Sequence, residues 1–449
     1  MGTLRWILLA VPLVSCGPAA DPPPSDPPRH NVLLFVIDTL RADALGAYGN
    51  PTVETPRIDA FAAEGVLFER AYAPTSWTRA SVASILTGQH PDTHGLNQRD
   101  EALPQEVETL AERLSDAGYA TAAIVANPNV GSAYGFDQGW DEYVELYQRR
   151  AKGRVASGEL VADAGRVTRR ALRWLDGARS PFFLFVLAID PHWPYTPPPR
   201  FDRYGRDYSG PVRDGAGGAL APDLDAADRE RIRAYYHGEV SYGDHWFGRL
   251  VDGLERRGLA DETVVVLTSD HGEEFWEHGQ RFHNKALFEE SIRVPLILRH
   301  PGSLPAGRRV RAPVELVDLV PTLLSLVGLP VPGHVDGRSL DLAAASSRRA
   351  IFSTLEFEKW NKRALTIWPW RLHHDADTQR SALFHLEEDP GELHDRLRDE
   401  PQRGADMLED LSRRTTGATN RPRPARVPDE ALTEESREAL RALGYIEPE

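Results

Sequence analysis

The sequence predicts an α/β protein with a large, mostly parallel sheet sandwiched between helices and a small C-terminal α+β subdomain. Continuous apolar runs recur along the chain, as is typical of strands buried on both faces. Helical patterns separate these runs, as in a parallel sheet covered on both sides. The predicted strands cover residues 32–37, 120–125, 182–189, 263–268 and 295–298. The predicted helices cover residues 58–64, 106–117, 158–174, 225–257 and 316–326.

The composition excludes several classes of protein. The chain has 449 residues, enough for one large domain and a smaller one. Its formal net charge of −15 argues against nucleic acid as a partner, because phosphate contacts need a basic surface. It contains one cysteine, so neither an intramolecular disulfide nor a cysteine-based zinc site can form.

Residues 1–16 are predicted to be a lipoprotein signal peptide. Arg5 supplies a minimal basic region, and the apolar run of residues 6–14 is too short to span a bilayer as a helix. The sequence then resembles a bacterial lipobox ending in Cys16, the residue that is lipidated; a plain secretory peptide is the alternative. The Pro-rich residues 17–30 are predicted to be an extended tether. We therefore expect a cell-envelope protein, on the periplasmic or outer-surface side, held at the membrane through a lipid on Cys16.

Polar side chains follow the predicted strands at the points where these strands end. Asp38 follows the first strand, His192 lies just beyond the third, and Asp270 and His271 follow the fourth. Ligands of open α/β sheets bind beyond the carboxyl ends of the strands, so these residues are expected to meet there. Each one alone could be a turn residue. Two carboxylates beside an imidazole need a cation, and oxygen and nitrogen ligands suit a divalent metal ion.

These residues, together with the segments around them, make the chain resemble the sulfatase branch of the alkaline-phosphatase superfamily. Each matching segment is weak alone, but the ordered set is specific. The resemblance implies a catalytic domain over residues 31–340, followed by a C-terminal subdomain and tail over residues 341–449. The matching segments are residues 31–43 (NVLLFVIDTLRAD), 78–88 (TRASVASILTG), 135–140 (GFDQGW), 192–195 (HWPY), 268–273 (TSDHGE), 283–295 (HNKALFEESIRVP), 317–322 (VDLVPT), 383–392 (LFHLEEDPGE) and 440–445 (LRALGY).

The resemblance implies a metal-bound nucleophile at the start of a helix, in a Cys/Ser-x-Pro-x-Arg motif followed by Thr-Gly. Counting back from residues 87–88 by the family spacing places the nucleophile at Thr78, and an alternative alignment places it at Thr75. Neither position is Cys or Ser, so no formylglycine is expected; Ala80 and Val82 stand where the family has Pro and Arg. A threonine is a weak nucleophile and needs activation by a metal ion. The alternative role for Thr78 is a helix N-cap.

The resemblance also implies the metal ligands. These are Asp38, Asp270 and His271, with Thr78 completing the set. Typical sulfatases have a second Asp where Thr39 stands, so the ligand set leans from calcium toward zinc, manganese or magnesium. One divalent ion is expected in preference to two.

Three further residues are implied to act on the bound anion. His192 and His283 match family histidines that contact the anion or help the leaving group, and Lys285 is placed to meet sulfate oxygens. Two alternatives stay open. Asp190 could form a second metal site with the two histidines, as in dinuclear phosphodiesterases, and Lys285 could be a solvated surface residue.

Three functions from different classes follow. The first is a metal-dependent hydrolase of sulfate esters outside the cytoplasm, which the family resemblance favours. The second is a phosphodiesterase or a phosphoglycerol- or phosphoethanolamine-type transferase, which a threonine nucleophile favours. The third is a catalytically inactive lipoprotein that binds anions or glycans. The expected partner is a sulfated or phosphorylated small molecule, glycan or lipid headgroup.

Overall fold

The computed structural model of the chain describes residues 29–147, 162–341, 349–416 and 422–446. The predicted signal peptide with Cys16, and all but the last two residues of the predicted tether, lie outside the described residues. Within the described ranges, every helix is too short or too polar to cross a lipid bilayer.

Seventeen strands form one large sheet and three smaller ones in the described part of the chain. Numbered in chain order, they are β1 Asn31–Ile37, β2 Val66–Phe68, β3 Ala71–Tyr72, β4 Ala120–Val125, β5 Glu142–Glu145, β6 Phe182–Ala188, β7 Thr263–Thr268, β8 Glu274–Phe275, β9 Arg281–Phe282, β10 Arg293–Val294, β11 Leu296–Arg299, β12 Arg308–Val310, β13 Val314–Glu315, β14 Ala350–Phe357, β15 Trp360–Ile367, β16 Trp370–Asp375 and β17 Arg380–His385.

α-Helices lie in several of the connections between these strands, together with short 3₁₀ turns. The α-helices are α1 Pro56–Ala63, α2 Thr78–Thr87, α3 Pro91–His94, α4 Leu110–Asp116, α5 Ala164–Leu175, α6 Gly215–Leu220, α7 Ala226–Arg256, α8 Glu289–Ile292, α9 Leu319–Leu326, α10 Pro401–Thr416 and α11 Glu434–Ala442. The 3₁₀ turns are Ala42–Ala44, Gly46–Tyr48, Pro128–Val130, Ser132–Tyr134, Ala260–Glu262, Leu316–Asp318 and Asp429–Ala431.

The large sheet has eight strands in the order β12-β2-β11-β7-β1-β6-β4-β5. The run from β7 to β5 is parallel, and β11 is antiparallel to both of its neighbours. The central strand β1 is buried along its whole length, as a strand covered on both faces must be. One helix group (α1, α5, α7) and a second group (α2, α4, α9) pack around this sheet. The predicted fold class is thus confirmed.

The C-terminal subdomain is a four-stranded antiparallel meander, β14-β15-β16-β17, with α10 packed on β15 and β16. It has its own small apolar core. That core consists of Phe352, Leu365, Leu372, Leu383, Met407 and Leu411. The meander agrees with the predicted α+β subdomain, and the expected boundary near residue 340 lies just before residues 342–348, which are outside the described ranges.

The predicted strands match the observed ones to within a residue at each end, whereas several helix ends differ. Helix α4 begins at Leu110 instead of residue 106, because Thr109 and Glu112 form a capping box that fixes its start. Helix α5 begins after Asp163, whose side chain accepts a hydrogen bond from the Arg166 amide. Residues 158–161 of the predicted helix lie outside the described part of the chain.

Candidate metal and anion site

The candidate metal ligands meet at the carboxyl edge of the large sheet. Asp38 directly follows β1, and Asp270 and His271 follow β7 after one residue. Since β1 and β7 are parallel neighbours, their carboxyl ends bring these side chains together. One ligand atom from each residue lies within 4.8 Å of the others, and all three side chains are fully buried. The structure therefore brings together three of the residues that the sequence predicted as metal ligands.

The two carboxylates each keep one oxygen free. Asp38 Oδ2 accepts a hydrogen bond from Asn127 Nδ2 at 2.6 Å, and Asp270 Oδ1 accepts from the amides of Thr39 and His271 at 3.2 and 2.9 Å. Asp38 Oδ1 and Asp270 Oδ2 are buried without a hydrogen-bond partner. Burial, and then the charge of Asp270, raise the pKa of Asp38 well above its ordinary value. Two desolvated carboxylates with free oxygens call for a cation, so these residues fit a divalent metal ion.

His271 is oriented to offer its Nε2 atom to the same point. Its Nδ1–H donates to the Gly272 carbonyl at 2.8 Å, which leaves Nε2 without a proton. Nε2 lies 3.5 Å from Asp270 Oδ2. This is the usual arrangement of a metal-binding histidine, in which the second ring nitrogen is held by a backbone carbonyl.

Thr78 is the first residue of α2, and its hydroxyl faces His271. The Thr78 Oγ1 atom lies 3.1 Å from His271 Nε2. The N-cap position of α2 belongs to Trp77, so the alternative role of Thr78 as an N-cap is wrong. Ser81, one turn further, donates to the Asp270 carbonyl at 2.6 Å and pins the helix to the end of β7. The side chain of Thr78 is therefore held beside the carboxylate cluster by the docking of α2.

Two histidines lie across from Thr78. The ring centroids of His192 and His283 are 4.9 Å apart, and those of His271 and His283 are 4.6 Å apart. The Nδ1 atom of His192 bonds to the Trp193 carbonyl, so its Nε2 faces the cluster. Burial, and then the charge of His283, lower the pKa of His192 to about 3. Both imidazoles that the sequence assigned to the anion thus line one face of the site.

Lys285 lies near Glu273 and His283, whereas Asp190 lies at the start of α5. The Lys285 Nζ donates to the Arg281 carbonyl at 2.9 Å, so its expected contact with sulfate oxygens stays a prediction. The Asp190 carboxylate accepts a hydrogen bond from the Ala164 amide at 2.6 Å, at the start of α5. Within the residues that the structure describes, the alternative dinuclear site built on Asp190 is not assembled.

Sequence reasoning missed two residues of the site. Glu273 Oε1 lies 3.0 Å from His283 Nδ1, and its Oε2 accepts from the Tyr195 hydroxyl at 3.0 Å. Tyr445 comes from the C-terminal tail, and its hydroxyl lies 2.8 Å from His192 Nε2 and 3.3 Å from Thr78 Oγ1. Tyr445 belongs to a segment that carried the family resemblance. Nothing in the sequence, however, indicated that its side chain reaches the site.

The sheet order and the C-terminal meander define an alkaline-phosphatase-like α/β fold, with a buried Asp–His cluster at the carboxyl edge of its large sheet. The chain belongs to the sulfatase family: a family model described as Sulfatase matches residues 30–329. A second model, described as N-sulphoglucosamine sulphohydrolase, C-terminal, matches residues 276–418. The sequence-based prediction of a sulfatase-like sulfuric ester hydrolase is thus confirmed at the level of the family.

Several characterised proteins are similar in sequence. The ulvan-active sulfatase of Formosa agariphila is 30% identical over 340 residues, a match that covers 70% of this chain and 65% of that protein. An arylsulfatase of Clostridium perfringens is 28% identical, with 70% and 78% covered. The iduronate 2-sulfatase of Homo sapiens is 30% identical, with 67% and 70% covered.

Solved structures show the same fold. One is a protein in complex with its substrate D-glucosamine-2-N,6-O-disulfate, with a TM-score of 0.74 and 21% identity over 87% of this chain and 98% of that one. Another is the phosphonate monoester hydrolase of Agrobacterium radiobacter, with a TM-score of 0.73 and 23% identity over 87% and 96%. At these identities the likeness concerns the fold.

Proposed function

We propose that the chain hydrolyses sulfate esters, with Thr78 as the attacking group beside one divalent metal ion held by Asp38, Asp270 and His271. The observation that supports this most directly is the 3.1 Å separation of Thr78 Oγ1 and His271 Nε2, next to the free carboxylate oxygens. Donor atoms around one small divalent ion stand about 3 Å apart, given metal–ligand distances near 2 Å. A zinc, manganese, magnesium or calcium ion held by these residues would supply positive charge that favours the deprotonated form of Thr78.

The side chains divide the reaction between two faces of the site. The Thr78 hydroxyl loses its proton to solvent, and Oγ1 attacks the sulfur or phosphorus, so that a threonine ester forms while the bond to the alcohol oxygen breaks. His192 and His283 hold the ester oxygens on the opposite face and pass a proton to the departing oxygen. An anionic ester beside these imidazoles favours their protonated form, against the effect of burial. Water then cleaves the threonine ester and restores the hydroxyl.

A threonine nucleophile cannot release its product as a formylglycine enzyme does, by return to an aldehyde. The Thr78 side chain carries a methyl group on its hydroxyl carbon, so its oxidation cannot give an aldehyde. The bound sulfuryl group must therefore leave by hydrolysis or by transfer to an acceptor. The same chemistry suits phosphate esters, which keeps phosphodiester hydrolysis or headgroup transfer as the second candidate. By analogy with the named relatives, we propose a sulfated or phosphorylated small molecule, glycan or lipid headgroup as the substrate.

The test combines a metal titration with two threonine variants. Purified chain is assayed with zinc, manganese, magnesium and calcium against p-nitrophenyl sulfate and bis(p-nitrophenyl) phosphate. We expect metal-dependent turnover that falls about a hundredfold or more in Thr78→Ala and survives in the matched control Thr75→Ala. The ratio of the two substrates decides between sulfate and phosphate. Absence of turnover with all four ions would favour the anion-binding lipoprotein, and full activity of both variants would remove Thr78 from the mechanism.

We also propose that Cys16 is lipidated and holds the protein on the periplasmic or outer-surface side of the cell envelope. The support is the lipobox-like end of the apolar segment and the absence of any other cysteine from the sequence. Labelling of cells with an alkyne fatty acid tests this. The wild type is expected to carry the label and to sediment with membranes, whereas Cys16→Ser is expected to lose both properties.

A further inference from the structure

The C-terminal tail crosses the surface of the large domain and ends in the candidate site. Before α11, the Ala102 amide donates to the Ala425 carbonyl at 3.0 Å, and the Val427 amide donates to the Asp100 carbonyl at 2.6 Å. The apolar face of α11 is buried in the main core. The buried tail residues are Leu432, Ala439, Leu440, Leu443 and Tyr445. The tail is therefore docked on the domain over its described length, residues 422–446.

A turn at the end of α11 directs Tyr445 inward. The Gly444 amide donates to the Arg441 carbonyl at 3.0 Å, and the Tyr445 amide donates to the Leu440 carbonyl at 2.9 Å. This pair of bonds is a Schellman motif, and Gly444 has the left-handed φ of +75° that the motif needs. Arg99 then donates to the Tyr445 carbonyl at 3.0 Å and fixes the backbone beyond the turn.

The Tyr445 hydroxyl contacts the groups that the proposed mechanism uses. It lies 3.3 Å from Thr78 Oγ1, 2.8 Å from His192 Nε2 and 3.3 Å from His283 Nε2. Tyr445 as a residue is 9% exposed and belongs to the buried core, so the phenol lies inside the site. One oxygen atom thus occupies the point between the attacking hydroxyl and both imidazoles.

A substrate ester needs the same space. The reacting sulfur or phosphorus must lie about 3–3.5 Å from the attacking oxygen, and its oxygens must reach the Nε2 atoms of His192 and His283. The Tyr445 hydroxyl already occupies this space, at hydrogen-bond distance from Thr78 Oγ1 and from both Nε2 atoms. A tetrahedral sulfuryl or phosphoryl group therefore cannot bind while the phenol is in place.

We propose that Tyr445 is an intramolecular competitor for the substrate, and that residues 422–446 must move before an ester can bind. This inference rests on the proposed function, because it takes Thr78 and the two histidines as the groups that meet the ester. The phenol oxygen takes the place that the reacting group of the ester needs between Thr78 and the two histidines. The tail thus sets the apparent affinity for substrate: a site that is open in one molecule out of ten binds about tenfold more weakly than a permanently open one.

The test uses the full chain with Tyr445→Ala, Tyr445→Phe and the control Arg437→Ala. Arg437 lies on the solvent side of α11 and pairs with Glu434, so its removal tests the general effect of a change in the tail. Affinity for inorganic phosphate is measured calorimetrically with each divalent ion, and KM and kcat are measured for both p-nitrophenyl esters. Tyr445→Ala is expected to bind phosphate about tenfold more tightly or better and to lower KM by a similar factor. Tyr445→Phe is expected to fall between it and the wild type, and Arg437→Ala to match the wild type.

Hydrogen exchange provides a measurement that does not depend on turnover. Phosphate should accelerate amide exchange across residues 434–446 of the wild type, because the tail leaves when the anion binds. Unchanged protection of that segment in the phosphate complex would overturn the inference, as would a lower kcat with unchanged KM in Tyr445→Ala. If Tyr445→Ala binds phosphate more tightly but cleaves neither ester, the inference holds and the proposed hydrolase activity fails. If the wild type turns over and Tyr445→Ala shows no gain in affinity or KM, the inference alone fails.

Discussion

At the scale of single residues, a carboxyl group outside the candidate ligand set controls one of the anion-facing imidazoles. Glu273 accepts the Nδ1 proton of His283, which leaves His283 Nε2 facing the site. The second Glu273 oxygen is held by the Tyr195 hydroxyl, so the carboxylate cannot rotate away from the histidine. Burial raises the pKa of Glu273 to about 7, against the opposing charges of His192 and His271. Glu273 is thus a positioning residue that acts through His283.

Glu273→Gln should weaken turnover without removing the metal site. The amide keeps nearly the same size but cannot stabilise a positive charge on His283, so we expect kcat to fall about tenfold to a hundredfold. The alkaline limb of the pH–rate profile should also move to lower pH, since protonated His283 loses its counter-charge and gives up its proton more readily. Tyr195→Phe serves as the matched control, because it removes a neighbouring hydrogen bond and leaves the carboxylate. Equal kcat and superimposable pH profiles for Glu273→Gln and wild type would contradict this role.

The residues that the sequence identified share a local property. Asp38, Asp270 and His271 each follow an apolar run that could only be a buried strand, and parallel strands bring their carboxyl ends together. Tyr445 has no such signal, because its place depends on how the tail docks and on the turn after α11. Glu273 was missed because it meets His283 only through the pairing of β8 with β9, which brings the residues before β8 and after β9 together.

At the scale of elements, α2 carries Thr78 at its first residue and ends at Gly88 in a crowded, left-handed turn. Gly88 has a φ of +70°. A Cβ atom added there would lie 3.0 Å from Val320 Cβ and 3.2 Å from Val335 Cγ1. The Asp336 amide also donates to the Gly88 carbonyl at 2.9 Å. The end of α2 is therefore held tightly between α9 and the segment that follows it.

Gly88→Ala should destabilise the protein by about 1–3 kcal/mol, because the new methyl group adds crowding to an unfavourable backbone conformation. The matched control is Gly118→Ala, which follows α4 with a φ of +86°; among the described residues, the nearest atom to the added carbon is Arg29 Nη1, at 4.0 Å. The control variant thus has the same unfavourable backbone conformation without the crowding. The free energy of unfolding, measured in urea by circular dichroism, should fall further for Gly88→Ala. An equal decrease in the free energy of unfolding in the two variants would show that crowding against Val320 does not add to the effect of the backbone conformation.

The ends of elements were harder to predict than the elements themselves. Apolar runs mark strands reliably because both faces of a central strand are buried. The start of α4 depends on the capping box between Thr109 and Glu112, which is a pattern of single side chains and not of hydrophobicity. The predicted helix over residues 316–326 begins as the 3₁₀ turn Leu316–Asp318 before it continues as α9.

At the scale of the whole molecule, a buried ionic cluster joins the large domain to the C-terminal meander. Glu315 lies 3.0 Å from His90 Nε2, accepts from Arg349 at 2.6 Å, and accepts from the Phe352 amide of β14 at 2.7 Å. Asp336 lies on the other side of His90, 3.5 Å from its Nδ1. The contact between the two units therefore contains a buried ionic cluster, which could not be predicted from the sequence because these residues lie far apart in the chain.

His90 should make the stability of the protein depend on pH in the alkaline range. Burial opposes its charge, but Glu315 and Asp336 outweigh burial and raise the pKa of His90 to about 10. In the unfolded chain the pKa of a histidine is about 6.5. The folded state therefore holds this proton more tightly, and the stabilisation is complete below about pH 6.5 and is lost as the pH rises toward 10.

The comparison of wild type with His90→Gln isolates this contribution. At pH 6 the wild type should be more stable by a margin on the order of a few kcal/mol, and the margin should shrink steadily up to pH 10. His394→Gln is the control, since that histidine has a 74% exposed side chain and should give a curve parallel to the wild type. Urea unfolding followed by circular dichroism at each pH measures the difference in stability between the two proteins. Other groups that titrate in the alkaline range affect both proteins equally and do not contribute to this difference. A constant gap between wild type and His90→Gln across this range would mean that His90 is neutral in the folded protein, and Glu315 would then hold the meander through Arg349 and the Phe352 amide alone.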